Sequence, residues 1–185
     1  MQLKTLEQDY QRVGKKPGGI WRYIHKALSH AGFRAVCFYR LGAWFRRHKM
    51  YFGAGMCQRL MHHLCHCWIS VQAEIGPGFL IAHVGSLVIG DKTRIGEQCD
   101  VRQNVTLGGN FRKVSADGRT QPWVGDNVSF GVGAVALGPV HIGSNSIIGA
   151  NSVVTRDVPE NVIVFGVPAQ IIKERWNDEE TGRKL

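Results

Sequence analysis

From Val124 onward every sixth position is apolar: 124, 130, 136, 142, 148 and 154 read Val, Phe, Ala, Ile, Ile and Val. Glycine follows at 125, 131, 143 and 149. An earlier register runs Ile89, Ile95, Val101 and Leu107, with Gly90, Gly96 and Gly108 behind three of them. A shorter one runs Ile75 and Ile81, with Gly76 behind the first. A period of six matches neither the helical repeat of about 3.6 nor the strand repeat of about 2. It matches a solenoid: short strands joined by tight turns, three to a coil, each coil dropping one aliphatic side chain inward per face. Small residues behind each aliphatic tolerate the turn.

The beat stops after Leu107-Gly108-Gly109 and resumes at Val124. The segment between, residues 110–123, is polar and charged, and a loop thrown out of a regular coil stack is where repeat proteins place function. Upstream, residues 1–19 read as loosely ordered, ending in the breaker run Lys16-Pro17-Gly18-Gly19. Over residues 20–47 the apolar spacing is helical, with Phe33, Val36, Tyr39, Trp44 and Phe45 on the stripe. Gly53 and Gly55 are expected to break it, and a second helix is expected over residues 56–68, with Gly76-Pro77-Gly78 marking the change to hexads. Past Val154, Val158-Pro159 and Gly166-Val167-Pro168-Ala169 read as turns, and Ile171, Ile172 and Trp176 as a cap on the last coil. The expected organisation is a basic α-helical region over 1–70, a β-helix over 71–165 with the extruded loop, and a capping segment over 166–185.

Composition sharpens this picture in two ways. The net charge of +9 comes wholly from residues 1–70, which carry twelve Lys and Arg against two acids and six of the eight histidines. Such a segment suits a solvated basic face or an anionic surface, and a peripheral membrane contact is one expectation. Five cysteines in no disulfide-like spacing favour a reducing, cytoplasmic compartment, and the basic N-terminal third adds the inner face of the membrane as an expectation. The polar, mixed-charge stretch from Met1 to Tyr10 predicts no secretory leader, and no run reaches the roughly 20 apolar residues of a spanning helix.

His83 is the candidate catalytic residue. It follows the inward Ile81 by two positions where a hexad turns, and an imidazole titrating near neutrality suits proton removal from a hydroxyl. Glu74, Asp91 and Asp100 are the nearest acids in sequence to orient it, and a backbone carbonyl is the alternative. The run His62-His63-Leu64-Cys65-His66-Cys67 places His62 with His66, and His63 with Cys67, on shared helix faces. Structural zinc wants four ligands, and Cys65-x-Cys67 is too tight for that spacing, so no metal is expected. Nucleic-acid binding has only the N-terminal charge behind it and no motif.

The runs Ile81-Ala82-His83-Val84-Gly85-Ser86, Val88-Ile89-Gly90, Gln103-Asn104-Val105-Thr106-Leu107-Gly108-Gly109 and Gly166-Val167-Pro168-Ala169 together resemble the serine acetyltransferase family. His30-Ala31-Gly32-Phe33-Arg34-Ala35 and Tyr39-Arg40-Leu41-Gly42-Ala43-Trp44 resemble that family's last helices before the β-helix, so the likeness covers residues 30–173. The resemblance implies a left-handed parallel β-helix, acetyl-CoA as co-substrate, and a homotrimer with active sites between subunits. It implies that His83 is the general base and that the backbone at Gly108 and Gly109 lies beside the thioester. It also implies that the pantetheine arm passes Val132, Gly133, Gly149 and Ala150, with Arg156, Lys173 and Arg175 as candidates for the CoA phosphates.

Three positions depart from the family's serine pattern. Ala82 stands where the family has an acid, Gln121 where it has a second histidine, and Thr120 where it has a basic residue. In the family these hold the charged ends of serine. The expected acceptor is therefore a sugar hydroxyl of capsule, exopolysaccharide or lipopolysaccharide assembly, as in short polysaccharide-type relatives. Asn110, Phe111, Arg119, Gln121 and Trp123 would meet it by hydrogen bonding and stacking. Serine O-acetylation in cysteine biosynthesis is the alternative, and a non-catalytic trimeric scaffold is the rival of another class.

Overall fold

The computed structural model describes residues 3–14, 19–111 and 113–175. Four helices lead: α1 (Leu3–Gln11), α2 (Ile20–Ser29), α3 (Ala31–Arg47) and α4 (Tyr51–Cys65). The strands follow as β1 (Cys67–Ile69), β2 (Glu74–Ile75), β3 (Leu80–Ile81), β4 (Leu87–Ile89), β5 (Arg94–Ile95), β6 (Asp100–Val101) and β7 (Thr106–Gly108). After the extruded loop come β8 (Trp123–Val124), β9 (Ser129–Phe130), β10 (Val135–Leu137), β11 (His141–Ile142), β12 (Ile147–Ile148), β13 (Val153–Val154), β14 (Val162–Phe165) and β15 (Gln170–Glu174).

The strands coil into a triangular prism with three parallel faces. Sheet one is β1-β4-β7-β10-β13, sheet two is β2-β5-β8-β11, and sheet three is β3-β6-β9-β12-β14, with β15 added antiparallel at its edge. The hexad aliphatics form one inward column per face. Ile69, Ile89, Leu107, Ala136 and Val154 line sheet one; Ile75, Ile95, Val124 and Ile142 line sheet two; Ile81, Val101, Phe130, Ile148 and Val164 line sheet three, all of them buried. Hexads also bury the side chain two positions earlier, large in Phe79 and Leu87 and smaller in Thr93, Cys99, Val128, Ala134, Ser146 and Ser152. The polar ones are satisfied at the corners: Ser146 donates to the Pro159 carbonyl at 2.9 Å, and Ser152 Oγ accepts from the Gly166 amide at 3.1 Å.

Glycine is needed where successive coils touch. A Cβ on Gly131 would lie 2.5 Å from the Ala150 nitrogen, and one on Gly76 would lie 2.6 Å from the Gly96 backbone. At the corner between sheets two and three, Asn127, Asn145 and Asn161 sit in the left-handed region. Their side chains form a ladder, Asn127 to Asn145 at 2.9 Å and Asn145 to Asn161 at 3.1 Å.

The helical region differs from expectation in three respects. Residues 3–11 form a helix because Asp9, fully buried, receives the Arg40 guanidinium from α3 and the Phe79 amide from the first coil. The predicted helix over 20–47 is two helices, parted at His30, whose ring Nδ1 accepts from the Phe33 amide at 3.1 Å as an N-cap. Gly53 and Gly55 do not break a helix but lie inside α4. Gly53 lets α4 close on the Phe45 ring, 3.0 Å from where a Cβ would sit, and the chain turns earlier, at Lys49 in the left-handed region. The first coil begins at β1, upstream of Gly76. At the far end Ile171 and Ile172 extend sheet three on β15 with exposed side chains, so they do not bury the last coil; Trp176 lies outside the described residues.

Candidate active site

Two corners of the prism hold the sequence-predicted residues, and they are different corners. The turn from sheet three to sheet one carries His83 between β3 and β4. Ile81 to Ile89 takes eight positions where the regular step is six, so this turn bulges, and His83 is exposed on it. The turns stacked on it carry Gln103, then Val132 and Gly133, then Gly149 and Ala150. Backbone bonds tie the column together: Asn104 N–H to the Gly85 carbonyl at 2.8 Å, Gly133 N–H to Gln103 at 3.0 Å, and Asn151 N–H to Val132 at 2.8 Å. The predicted pantetheine path therefore shares a corner with the predicted base. The Gln103 side-chain oxygen is buried in this column without a hydrogen-bond partner.

The N-terminus of α3 packs against the His83 turn. A Cβ on Gly32 would sit 1.9 Å from the Ile81 carbonyl oxygen, so only glycine permits the approach. It brings His30 within electrostatic range of His83. The His30 pKa is lowered, first by burial, then by Lys26, and in lesser part by His83. With Nδ1 accepting from Phe33, neutral His30 carries its proton on Nε2. Sequence reasoning did not assign His30 to the site, although the family-like run begins there. The candidate orienting acids lie elsewhere. Glu74 pairs with Arg94 at 3.1 Å on sheet two, Asp100 accepts from Ser129 and faces Arg12, and Asp91 lines a cavity beneath the extruded loop.

The corner from sheet one to sheet two carries Gly108, Gly109, Asn110, Arg119, Gln121 and Trp123, and two coils on, Arg156. The loop is folded back on itself. The Ser115 amide donates to the Arg119 carbonyl at 3.0 Å, and the Ser115 hydroxyl and Arg119 guanidinium hold the Asp117 carboxyl down at about 2. Gln121 packs inward: its carbonyl oxygen accepts from the Thr93 hydroxyl at 2.9 Å and abuts Gly90. Trp123 lies under two guanidinium groups, Arg94 at 4.3 Å and Arg119 at 5.2 Å from the ring centroid. The ring expected to stack on a sugar is thus engaged by cations in this chain. Phe111 is fully exposed.

The candidate CoA-phosphate residues do not converge within one chain. Arg156 is on the loop corner, Lys173 is on the edge strand of sheet three, and Arg175 donates to the Asn127 carbonyl at 3.0 Å. A groove of about 790 Å³ runs along sheet two past Arg46, Arg94, Trp123 and His141, away from His83.

The His–Cys run is divided by structure. Cys65 ends α4, His66 caps it in the left-handed region, and Cys67 opens β1, so His63 and Cys67 share no helix face. Burial raises the Cys65 and Cys67 thiols, and among the described residues no three His, Cys, Asp or Glu are grouped to hold a metal. No helix of the described residues is long and apolar enough to cross a membrane.

Comparison with known proteins agrees with this architecture. A family profile described as "Bacterial transferase hexapeptide (six repeats)" matches residues 122–156. The chain is 33% identical over 174 residues to a serine acetyltransferase of Synechococcus elongatus, covering 92% of this chain and 68% of that one. It is 31% identical over 185 residues to a serine acetyltransferase of Bacillus pumilus, covering all of this chain and 83% of that one. The crystal structure of the Brucella abortus serine acetyltransferase in complex with coenzyme A superposes with a TM-score of 0.82 at 30% identity, over 94% of this chain and 68% of that one. These relatives are named for serine, which corrects the expectation of nearer kinship to polysaccharide-type enzymes. The chain belongs to the serine acetyltransferase family, acyltransferases built on the hexapeptide-repeat left-handed β-helix.

Proposed function

We propose that this protein transfers the acetyl group of acetyl-CoA to a hydroxyl, with His83 as general base, in a homotrimer whose sites join two chains. One observation carries the assembly. The His83 corner and the loop corner are the two ends of sheet one, and the outward row of that sheet is Trp68, Val88, Thr106, Val135 and Val153. The outward row of sheet two is Glu74, Arg94, Trp123 and His141. A face that is apolar apart from one threonine, on an open prism, is suited to burial against its own copies. Three prisms packed by sheet one would bring the His83 corner of each beside the loop corner of the next. Each half-site is incomplete without the other.

In such a site the acceptor hydroxyl gives its proton to the His83 ring as its oxygen attacks the thioester carbonyl. Backbone N–H groups at Gly108 and Gly109 would receive the developing oxyanion, and a Cβ on Gly108 meets nothing within 4 Å in this chain, which leaves room for the thioester there. Collapse of the tetrahedral intermediate breaks the C–S bond. The proton held by His83 passes to the departing sulfur, giving free CoA and the acetyl ester.

Serine is the acceptor we propose, on the strength of relatives so named that match nearly the whole chain at about a third identity. A second reading, a neutral saccharide hydroxyl, is favoured by Ala82, Thr120 and Gln121, which offer no charge to a desolvated zwitterion. CoA release from acetyl-CoA with free serine tests the choice. Turnover on serine supports the first reading. No turnover on serine, with acetylation of a saccharide, supports the second.

A further inference from the structure

The half-buried His30 ring has one nitrogen to spare. Its Nδ1 accepts from the Phe33 amide at 3.1 Å, which leaves the proton on Nε2, and among the described residues nothing accepts that N–H. The ring also lies against the catalytic turn. The point where Gly32 would carry a Cβ is 1.9 Å from the Ile81 carbonyl oxygen and 3.1 Å from His30 Cε1, and the His83 turn springs from that strand end. The two nitrogens of an imidazole point to opposite sides, so with Nδ1 turned onto α3 the Nε2–H points away from the helix.

Local charge selects what this N–H meets. The Lys26 ammonium stands within electrostatic range of the ring, as does His83. Arg34, one turn along α3, spans the ends of α2 and α4 through the Leu28 and Leu64 carbonyls. Glu74, Asp91 and Asp100 lie away from the turn, Asp9 is bound to Arg40, and Glu7 accepts from the Tyr23 hydroxyl. A carboxylate placed here meets a donor and cations, and none of these acids faces it. Serine brings such a carboxylate, and Ala82, Thr120 and Gln121 offer it no charge.

We propose that His30 binds the acceptor: its Nε2–H donates to a carboxylate oxygen of serine while His83 takes the proton of the hydroxyl. His30 moves no proton; it holds the hydroxyl at the base. The inference rests on the serine reading above. His30 belongs to the same half-site as His83, so a neighbouring protomer docked by its loop corner closes over the pair.

Steady-state CoA release with serine tests this, using two substitutions that part the ring's two duties. In His30→Asn the amide oxygen stands where Nδ1 stands and keeps the cap, but no donor reaches the place of Nε2. In His30→Gln the amide nitrogen stands near Nε2 and the cap is lost. His30→Asn is expected to melt like the wild type at about pH 8 and to raise the serine KM about tenfold or more, with kcat and the acetyl-CoA KM within about twofold. His30→Gln is expected to melt lower and yet to keep the serine KM within about threefold of wild type. A serine KM that ignores His30→Asn overturns the inference. So does a loss of kcat without a change in KM, which would put His30 behind His83 and not against the acceptor, and so does a KM that follows the melting temperature across the two variants. Wild-type protein inactive on serine overturns the serine reading and this inference together, whereas turnover on serine that is indifferent to His30→Asn overturns this inference alone.

Discussion

The Asp9 carboxylate grips the Arg40 guanidinium through two hydrogen bonds, Nε at 2.8 Å and Nη2 at 3.0 Å. The same guanidinium donates to the carbonyls of Ile75 and Gly76 at 2.6 Å, and Asp9 accepts the Phe79 amide at 2.9 Å. One buried pair thus binds α1, α3 and the first coil. Asp9→Ala strips a buried cation of its partner and is expected to cost about 3–5 kcal/mol. Urea unfolding reads this directly, and a loss below about 1 kcal/mol would mean that α1 is not anchored through this pair.

The N-cap of α3 is expected to respond to pH. His30 accepts from the Phe33 amide only while Nδ1 is unprotonated, and its pKa is lowered by burial, Lys26 and His83. The unfolded chain then binds the proton more readily than the folded one, so stability is full above the ordinary histidine pKa and falls as pH drops through it. Melting temperatures should decline between about pH 7.5 and about pH 5, and His30→Asn, which keeps a capping acceptor without titrating, should flatten that decline. An unchanged slope in His30→Asn would assign the pH response to another group.

Glycines on the coils should separate into two classes. Gly131→Ala drives a Cβ to 2.5 Å from the next coil's backbone, whereas one on Gly108 meets nothing within 4 Å. The first substitution is expected to destabilise by about 1–3 kcal/mol and the second to leave unfolding nearly unchanged. Equal losses in the two variants would contradict the coil spacing.

The hexads were legible because each inward strand position is apolar, from Ala136 to Phe130, whatever the turn does. The second buried position was not, since Thr93, Ser146 and Ser152 look like surface residues until their corner hydrogen bonds are seen. Helix α1 was missed because its anchor, the Phe79 amide, lies 70 residues away. Gly53 misled because a close helix crossing and a helix end ask for the same residue. In the site, His83 was legible from the turn, and the slip from Ile81 to Ile89 marks the bulge that exposes it. The inward turn of Gln121 and the cations over Trp123 were not, because Thr93 and Arg94 approach from the preceding coil.

The shared site makes a direct demand on two variants. His83→Ala removes the base and should lower kcat by roughly 10²–10⁴-fold. Gly108→Val should fold and yet crowd the thioester. When the two inactive chains are co-expressed and assemble together, about a quarter of the sites should join an intact His83 to an intact Gly108 of its neighbour, and CoA release should return in that proportion. Mixed assemblies as inactive as either parent, or a His83→Ala protein as active as the wild type, would contradict the account.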